Sequence, residues 1–228
     1  MISSVPHVTR EQMIEVDRLM VEEAGVTLLQ MMENAGRSLA DFVMQRHRPN
    51  SVTVFVGRGG NGGGGLVASR HLSNRGVNVT IVTSSEVSKF DGVPAIQLGA
   101  LAMTDVSISD APPATADLVV DALIGYSLSG APRGRVRDLI VQINQSVAPV
   151  VSLDVPSGVD PNTGDCEGAA VLATSTLTLA LPKIGLRDSQ NTGSQHLADI
   201  SVPPSLYRRL GIEVPSDLFS ESQVIELS

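Results

Sequence analysis

Residues 51–82 read SVTVFVGRGGNGGGGLVASRHLSNRGVNVTIV, from Ser51 to Val82, and the fold follows from how this stretch is parsed. Val52, Val54 and Val56, with Thr53 and Phe55 between them, form the β-branched and aromatic run of a buried strand. Seven of the next nine residues are glycine: Gly57, Gly59, Gly60, Gly62, Gly63, Gly64 and Gly65. Leu66, Val67, His71 and Leu72 then recur at helical spacing, Gly76 closes the helix, and Val77 to Val82 forms a second strand. In such a β-loop-α-β unit, free backbone N–H groups and the helix dipole favour an anion where chain leaves strand for helix. Residues without a Cβ let a phosphate come close.

Gly57-Arg58-Gly59-Gly60-Asn61-Gly62 matches GxGxxG in form. A dinucleotide site of standard type also places an acid at the end of the second strand. Here that strand runs out in Thr83-Ser84-Ser85, and Glu86 lies past a natural ribose contact. No Gly-Lys-Ser/Thr follows the glycines, which excludes a Walker-type ATP loop. A flexible linker is the bland alternative, but linkers seldom separate a clean strand from an amphipathic helix. The stretch is read as a phosphate-binding loop of non-standard type.

The rest of the composition narrows the class. With 42% hydrophobic and 18% charged residues, the 228-residue chain can bury a full core in one domain, residues 1–228. A formal net charge of −8 without a Lys/Arg cluster argues against nucleic acid. A single cysteine, Cys166, excludes an internal disulfide and a cysteine-based zinc site. No apolar run approaches the ~18 residues of a membrane span, so a cytoplasmic enzyme is expected.

Thr9 to Arg48 reads as two helices. Thr9 caps the first, which carries Met13, Val16, Asp17 and Met20 and ends at Gly25. The second places Leu28, Leu29, Met32, Ala35, Leu39, Phe42 and Val43 on one core-facing side. A helix is expected within Asp91 to Met103 and another over Arg135 to Asn144. Strands are expected over Asp117–Asp121, Pro149–Leu153, Thr174–Leu181 and Gln195–Val202. This alternation predicts a mostly parallel sheet covered by helices on both faces. Asp121 ends the run Leu118-Val119-Val120, Asp154 follows Val150-Val151-Ser152-Leu153, and Gly57 follows Val54-Phe55-Val56. All three should therefore meet at the carboxyl edge, where open α/β sheets bind ligands. Each aspartate alone could merely cap a loop. Two at equivalent strand ends beside a glycine loop suggest a site.

The succession VGRGGNGGGG, VDALIGYSLSG, VSLDVPSGVDPNTG and TLTLALPKIGL resembles the YjeF N-terminal family, the NAD(P)HX epimerases. The agreement covers nearly the whole chain, from Met13…Asp17 and Met32-Glu33-Asn34-Ala35-Gly36 to Leu197-Ala198-Asp199-Ile200. The resemblance implies a three-layer αβα sandwich with a Rossmann-like, mostly parallel sheet. It implies a homodimer that epimerises hydrated NADH and NADPH so that a dehydratase can repair either form. Because this chain stops at Ser228, that dehydratase is expected as a separate protein. Neither nucleic acid nor membrane is expected as a partner.

Carried over by motif, Asn61, Asp121 and Ser157 would ligate a potassium ion through oxygen, as a hard cation requires. Asn61, Gly62, Gly63 and Gly64, with Gly125, Tyr126, Ser127, Leu128, Ser129, Gly130, Ala131 and Asp154, would hold the substrate. Asp154 would be the catalytic proton-transfer residue. Lys183 matches the family's Pro-Lys pair, but reads equally well as a solvated loop lysine. Three residues depart from the family pattern: Gly60 replaces an asparagine, Gly64 an aspartate and Arg58 a proline. These changes make the loop kinder to anions. They leave two alternatives open, a catalytically silent nucleotide-binding scaffold and an enzyme on another phosphorylated metabolite.

Overall fold

The computed structural model describes residues 5–227. Its centre is the strand β1 (Ser51–Val56), whose alternating side chains serve both faces of one sheet. Val52, Val54 and Val56 face Leu66, Ala68 and Leu72, whereas Phe55 faces Leu139, Ile140 and Ile143. The remaining strands are β2 (Asn78–Thr83), β3 (Ser107–Ser109), β4 (Leu118–Ala122), β5 (Val150–Leu153), β6 (Ser175–Leu179), β7 (Ser194–Ala198) and β8 (Val224–Glu226). They form an eight-stranded sheet of order β3-β2-β1-β4-β5-β6-β7-β8, parallel except for the β7–β8 pair. The strand order reverses between β1 and β4, the position at which such sheets open a ligand crevice.

The helices are α1 (Arg10–Glu22), α2 (Leu28–Arg46), α3 (Gly60–Ser73), α4 (Gly92–Gly99), α5 (Gly134–Asn144) and α6 (Pro204–Arg209). Helices α2, α3 and α4 lie over one face of the sheet and α5 over the other, giving the αβα layering. Capping boxes open α1 and α2: Thr9 accepts from the Gln12 amide and Thr27 from the Gln30 amide, and each glutamine side chain reaches back. The buried face of α2 is Met31, Ala35, Leu39, Phe42 and Val43, so Leu28 and Leu29 are not core residues and stand exposed. Three elements lie outside the expectations, β3, β8 and α6. The helix expected within Asp91 to Met103 is confined to Gly92–Gly99.

The largest departure concerns the glycines. Five of the seven do not form a loop, because α3 begins at Gly60 and takes Gly60, Gly62, Gly63, Gly64 and Gly65 into its first two turns. Glycine disfavours a helix, but here the helix is pressed so close to its neighbours that a Cβ has no room at Gly62, Gly63 or Gly65. A Cβ on Gly62 would stand 1.8 Å from the Gly57 carbonyl oxygen, and one on Gly63 2.4 Å from Met32 Sδ. The partner helix makes the same accommodation, since a Cβ on Gly36 would stand 2.4 Å from Val67 Cβ. Tertiary contact overrides propensity at this helix.

Candidate functional site

Asp154 stands at the end of β5 with φ +68, the left-handed region, which aspartate tolerates better than most residues. Ala180, just past the end of the neighbouring β6, has φ +62. Two strained residues at adjacent strand ends mark a place the surrounding structure holds deliberately. The Asp154 amide donates to the Leu177 carbonyl at 2.7 Å, which fixes the turn. The carboxylate is buried and receives a hydrogen bond from the Tyr126 amide at Oδ2, 3.0 Å.

The other carboxylate oxygen, Oδ1, is ion-paired with Lys183 Nζ. Lys183 is fully buried, which corrects its reading as a solvated loop lysine. Its ammonium also donates to the Leu179 carbonyl at 3.0 Å and lies 3.5 Å from Thr178 Oγ1, so each of its three donors has a partner. The segment is held from the N-terminal side. The Val8 amide donates to Pro182 O at 2.9 Å, and the Ile184 amide returns a bond to Val8 O at 3.0 Å.

Tyr126 links this pair to the first helix. Its hydroxyl donates to Asp17 Oδ2, and its ring centroid lies 5.7 Å from Lys183 Nζ, within cation–π range. Burial pushes the Asp17 carboxyl above the usual carboxylate range, against the opposing pull of the Tyr126 hydrogen bond and the Lys183 charge. Burial and the Asp17 charge raise Tyr126 in turn. The sequence pattern puts Asp17 on α1 and points to no role for it. Its partner lies 109 positions along the chain, so no local pattern could have announced the pairing.

Asp17, Tyr126, Asp154 and Lys183 belong to the wall of a cavity of about 380 Å³, which Asn61, Gly64, Gly125 and Ser127 also line. Its walls are largely apolar, with Met13, Met31, Met32, Leu153 and Leu179 among them. Gly125 is required by close approach: a Cβ there would stand 2.9 Å from Asp154 Oδ2 and 3.2 Å from Asn61 Oδ1. Both polar atoms of the Asn61 amide are buried with no hydrogen-bond partner. Such an atom is costly unless something outside the chain completes it.

Asp121 and Ser157 lie deeper. Asp121 is wholly buried within β4, opposite Phe55 and Ser152, and burial pushes its carboxyl upward. It accepts from Ser157 Oγ (2.6 Å), Ser157 N (2.8 Å), Ser152 Oγ (2.8 Å) and Leu123 N (3.2 Å). Ser157 Oγ also lies 3.1 Å from the Ile124 carbonyl and accepts from the Ile124 amide at 2.9 Å. Gly62 and Gly63 pack inside the fold, and Leu128, Ser129, Gly130 and Ala131 do not border this cavity.

The chain matches the family described as YjeF-related protein N-terminus over residues 28–185. It is 42% identical to a protein of Dehalogenimonas lykanthroporepellens named NAD(P)H-hydrate epimerase, over 92% of this chain and 88% of that one. A Truepera radiovictrix protein of the same name is 37% identical over 83% of this chain and 87% of its own length. The bifunctional NAD(P)H-hydrate repair enzyme Nnr of Hyperthermus butylicus is 43% identical over 80% of this chain, which spans 36% of that longer protein. Among solved structures, yeast YNL200c superposes with a TM-score of 0.84 at 24% identity, over 98% of this chain and 100% of that one, and shares the fold. The strand-end acids, the glycine helix and the matched span together place the chain in the YjeF N-terminal family, to which it belongs.

Proposed function

We propose that the chain is an epimerase that interconverts the R and S forms of hydrated NADH and NADPH. The observation that carries this reading is the buried Asp154–Lys183 pair in the wall of a largely apolar cavity that the start of α3 also lines. Relatives matched over most of their length are named for this reaction. At the hydrated carbon, Asp154 takes the hydroxyl proton while the carbon–nitrogen bond opens with its electron pair on nitrogen, and then gives the proton to that nitrogen. Rotation and reclosure on the other face reverse both transfers, so the carboxylate ends as it began. Lys183 holds the carboxylate in place, and the apolar walls keep water from the open form.

Potassium is proposed as the resident ion. The donor set is oxygen only, and Asn61 Oδ1 lacks a partner, which suits a hard cation. Ser157 has one hydroxyl hydrogen and two acceptors in reach. Turning it from Asp121 to the Ile124 carbonyl would free an Asp121 lone pair for the ion. Its role would be to neutralise charge beside the nucleotide. Among the described residues no helix is long and apolar enough to cross a membrane. Exposed Ile14, Val21, Leu28 and Leu29 on the first two helices support the proposed homodimer. The further proposals are a cytoplasmic location and a dehydratase as pathway partner.

The direct test starts separately from purified R and S hydrates. The expected result is approach to one equilibrium mixture from either side, far faster than without protein. A chain that binds the hydrates and leaves both unchanged would be a silent scaffold.

Gly64 gives a second test. A Cβ there would lie 2.8 Å from Leu153 Cδ2, the movable end of a side chain, and its φ is not in the left-handed region. Gly64→Asp should therefore fold, with Leu153 turning aside, and direct a carboxylate into the cavity. One added hydrogen bond should tighten hydrate binding about threefold to tenfold. An unchanged melting curve with no gain in binding would show that the substrate's polar groups lie elsewhere.

A further inference from the structure

A second cavity, of about 390 Å³, adjoins the first and shares Arg58, Gly59, Gly60, Asn61, Gly125 and Ser127 with it. It opens over the carboxyl ends of β1 and β2, where Ser84 and Ser85 form part of its wall. Although the chain has 24 acidic against 16 basic residues, the lining holds no carboxylate and one cation, Arg58. Among the described residues, the side chains of Arg58, Ser84, Ser85 and Ser127 make no hydrogen bond or ion pair within the chain, and all four line the cavity. A second positive charge stands close by. Arg135 donates to the Thr83 carbonyl at 2.8 Å and the Asp110 carbonyl at 2.7 Å, which clamps the strand end carrying Ser84.

We infer that this second cavity seats the 2′-phosphate of the adenosine ribose, so that the chain prefers the hydrate of NADPH to that of NADH. The inference rests on the reading that Asp154 acts on the nicotinamide ring, which puts the ring in the first cavity. The diphosphate then crosses the shared wall at the start of α3, and the adenosine half falls over β2. Dinucleotide folds read the 2′ position at this strand end, with an acid for a hydroxyl and an arginine for a phosphate. Here the acid is absent and hydroxyls, N–H groups and a guanidinium replace it. A carboxylate would repel a dianion, whereas Arg58 can offer a bidentate, charge-assisted contact.

The test measures kcat/KM for both hydrates in the wild type and in Arg58→Ala. The wild type should favour the NADPH hydrate about tenfold or more, and Arg58→Ala should lower that ratio about tenfold. Ser84→Asp, which restores the missing acid, should reverse the preference. Calorimetry separates the inference from the reaction. Adenosine 2′,5′-bisphosphate should bind more tightly than the equally charged 3′,5′ isomer, and Arg58→Ala should abolish the difference. That result would uphold the subsite even in a chain that epimerises nothing. Equal kcat/KM for the two hydrates, or an Arg58→Ala variant in which both fall together, would overturn it. The latter result would assign Arg58 to the diphosphate common to both.

Discussion

Asp154→Asn is expected to lower epimerisation by about 100-fold or more, the usual size of a lost general acid–base group, while hydrate binding survives. Asparagine keeps the shape, can still accept at Oδ1, and like aspartate tolerates the φ of +68 found there. What it cannot do is exchange a proton with the substrate. Because Lys183 loses its counter-charge in this variant, the rate must be read well below the new melting temperature, with substrate binding measured beside it. Unchanged turnover in a folded Asp154→Asn protein would remove Asp154 from the chemistry and leave it as the partner of a buried lysine.

The second large effect is on stability. Lys183→Met fills the same space but strands the Asp154 carboxylate in a buried site, and removing one partner of a buried ion pair typically costs about 3–5 kcal/mol. For a chain of this size that corresponds to a melting temperature lower by about 6–20 °C. The double variant Asp154→Asn, Lys183→Met removes both charges and should be more stable than Lys183→Met alone, the mark of coupled residues. Denaturant unfolding of the four proteins completes the cycle. If Lys183→Met unfolds at the wild-type midpoint, the pair contributes nothing to the fold.

Much of the site could be read in advance because it hangs on strand ends. An apolar run followed by glycine or aspartate places that residue at the carboxyl edge, and Gly57 and Asp154 lie there, with Asp121 the penultimate residue of its own strand. What escaped was the part made by distant partners. Lys183 meets Asp154 across 29 positions, and the exposed look of Pro-Lys in sequence reveals neither the burial nor the pairing. The start of α3 escaped for a different reason. Five glycines in its first six residues argue against a helix, and only the closeness of Gly57, Met32 and Ala122 explains why the chain coils there regardless. Leu28 and Leu29 follow the capping Thr27, but α2 turns Met31, Ala35 and Gly36 inward, with Gly36 against Val67, a contact no periodicity reports.

The crowded start of α3 also bears on how the protein lives and dies. At about 1 kcal/mol for each glycine relative to alanine, this segment opposes its own formation by about 5 kcal/mol, comparable with the whole stability of an ordinary domain. It cannot nucleate alone, and coils only once the sheet and α2 are in place to receive it. Its N–H groups are aligned in the folded chain and nowhere else, so under the proposed reading, in which they meet the phosphates, a bound nucleotide stabilises the folded state and leaves the unfolded one untouched. In a cell depleted of nicotinamide nucleotides the folded state would lose that added stability, and the chain as a whole would be open to proteases more often.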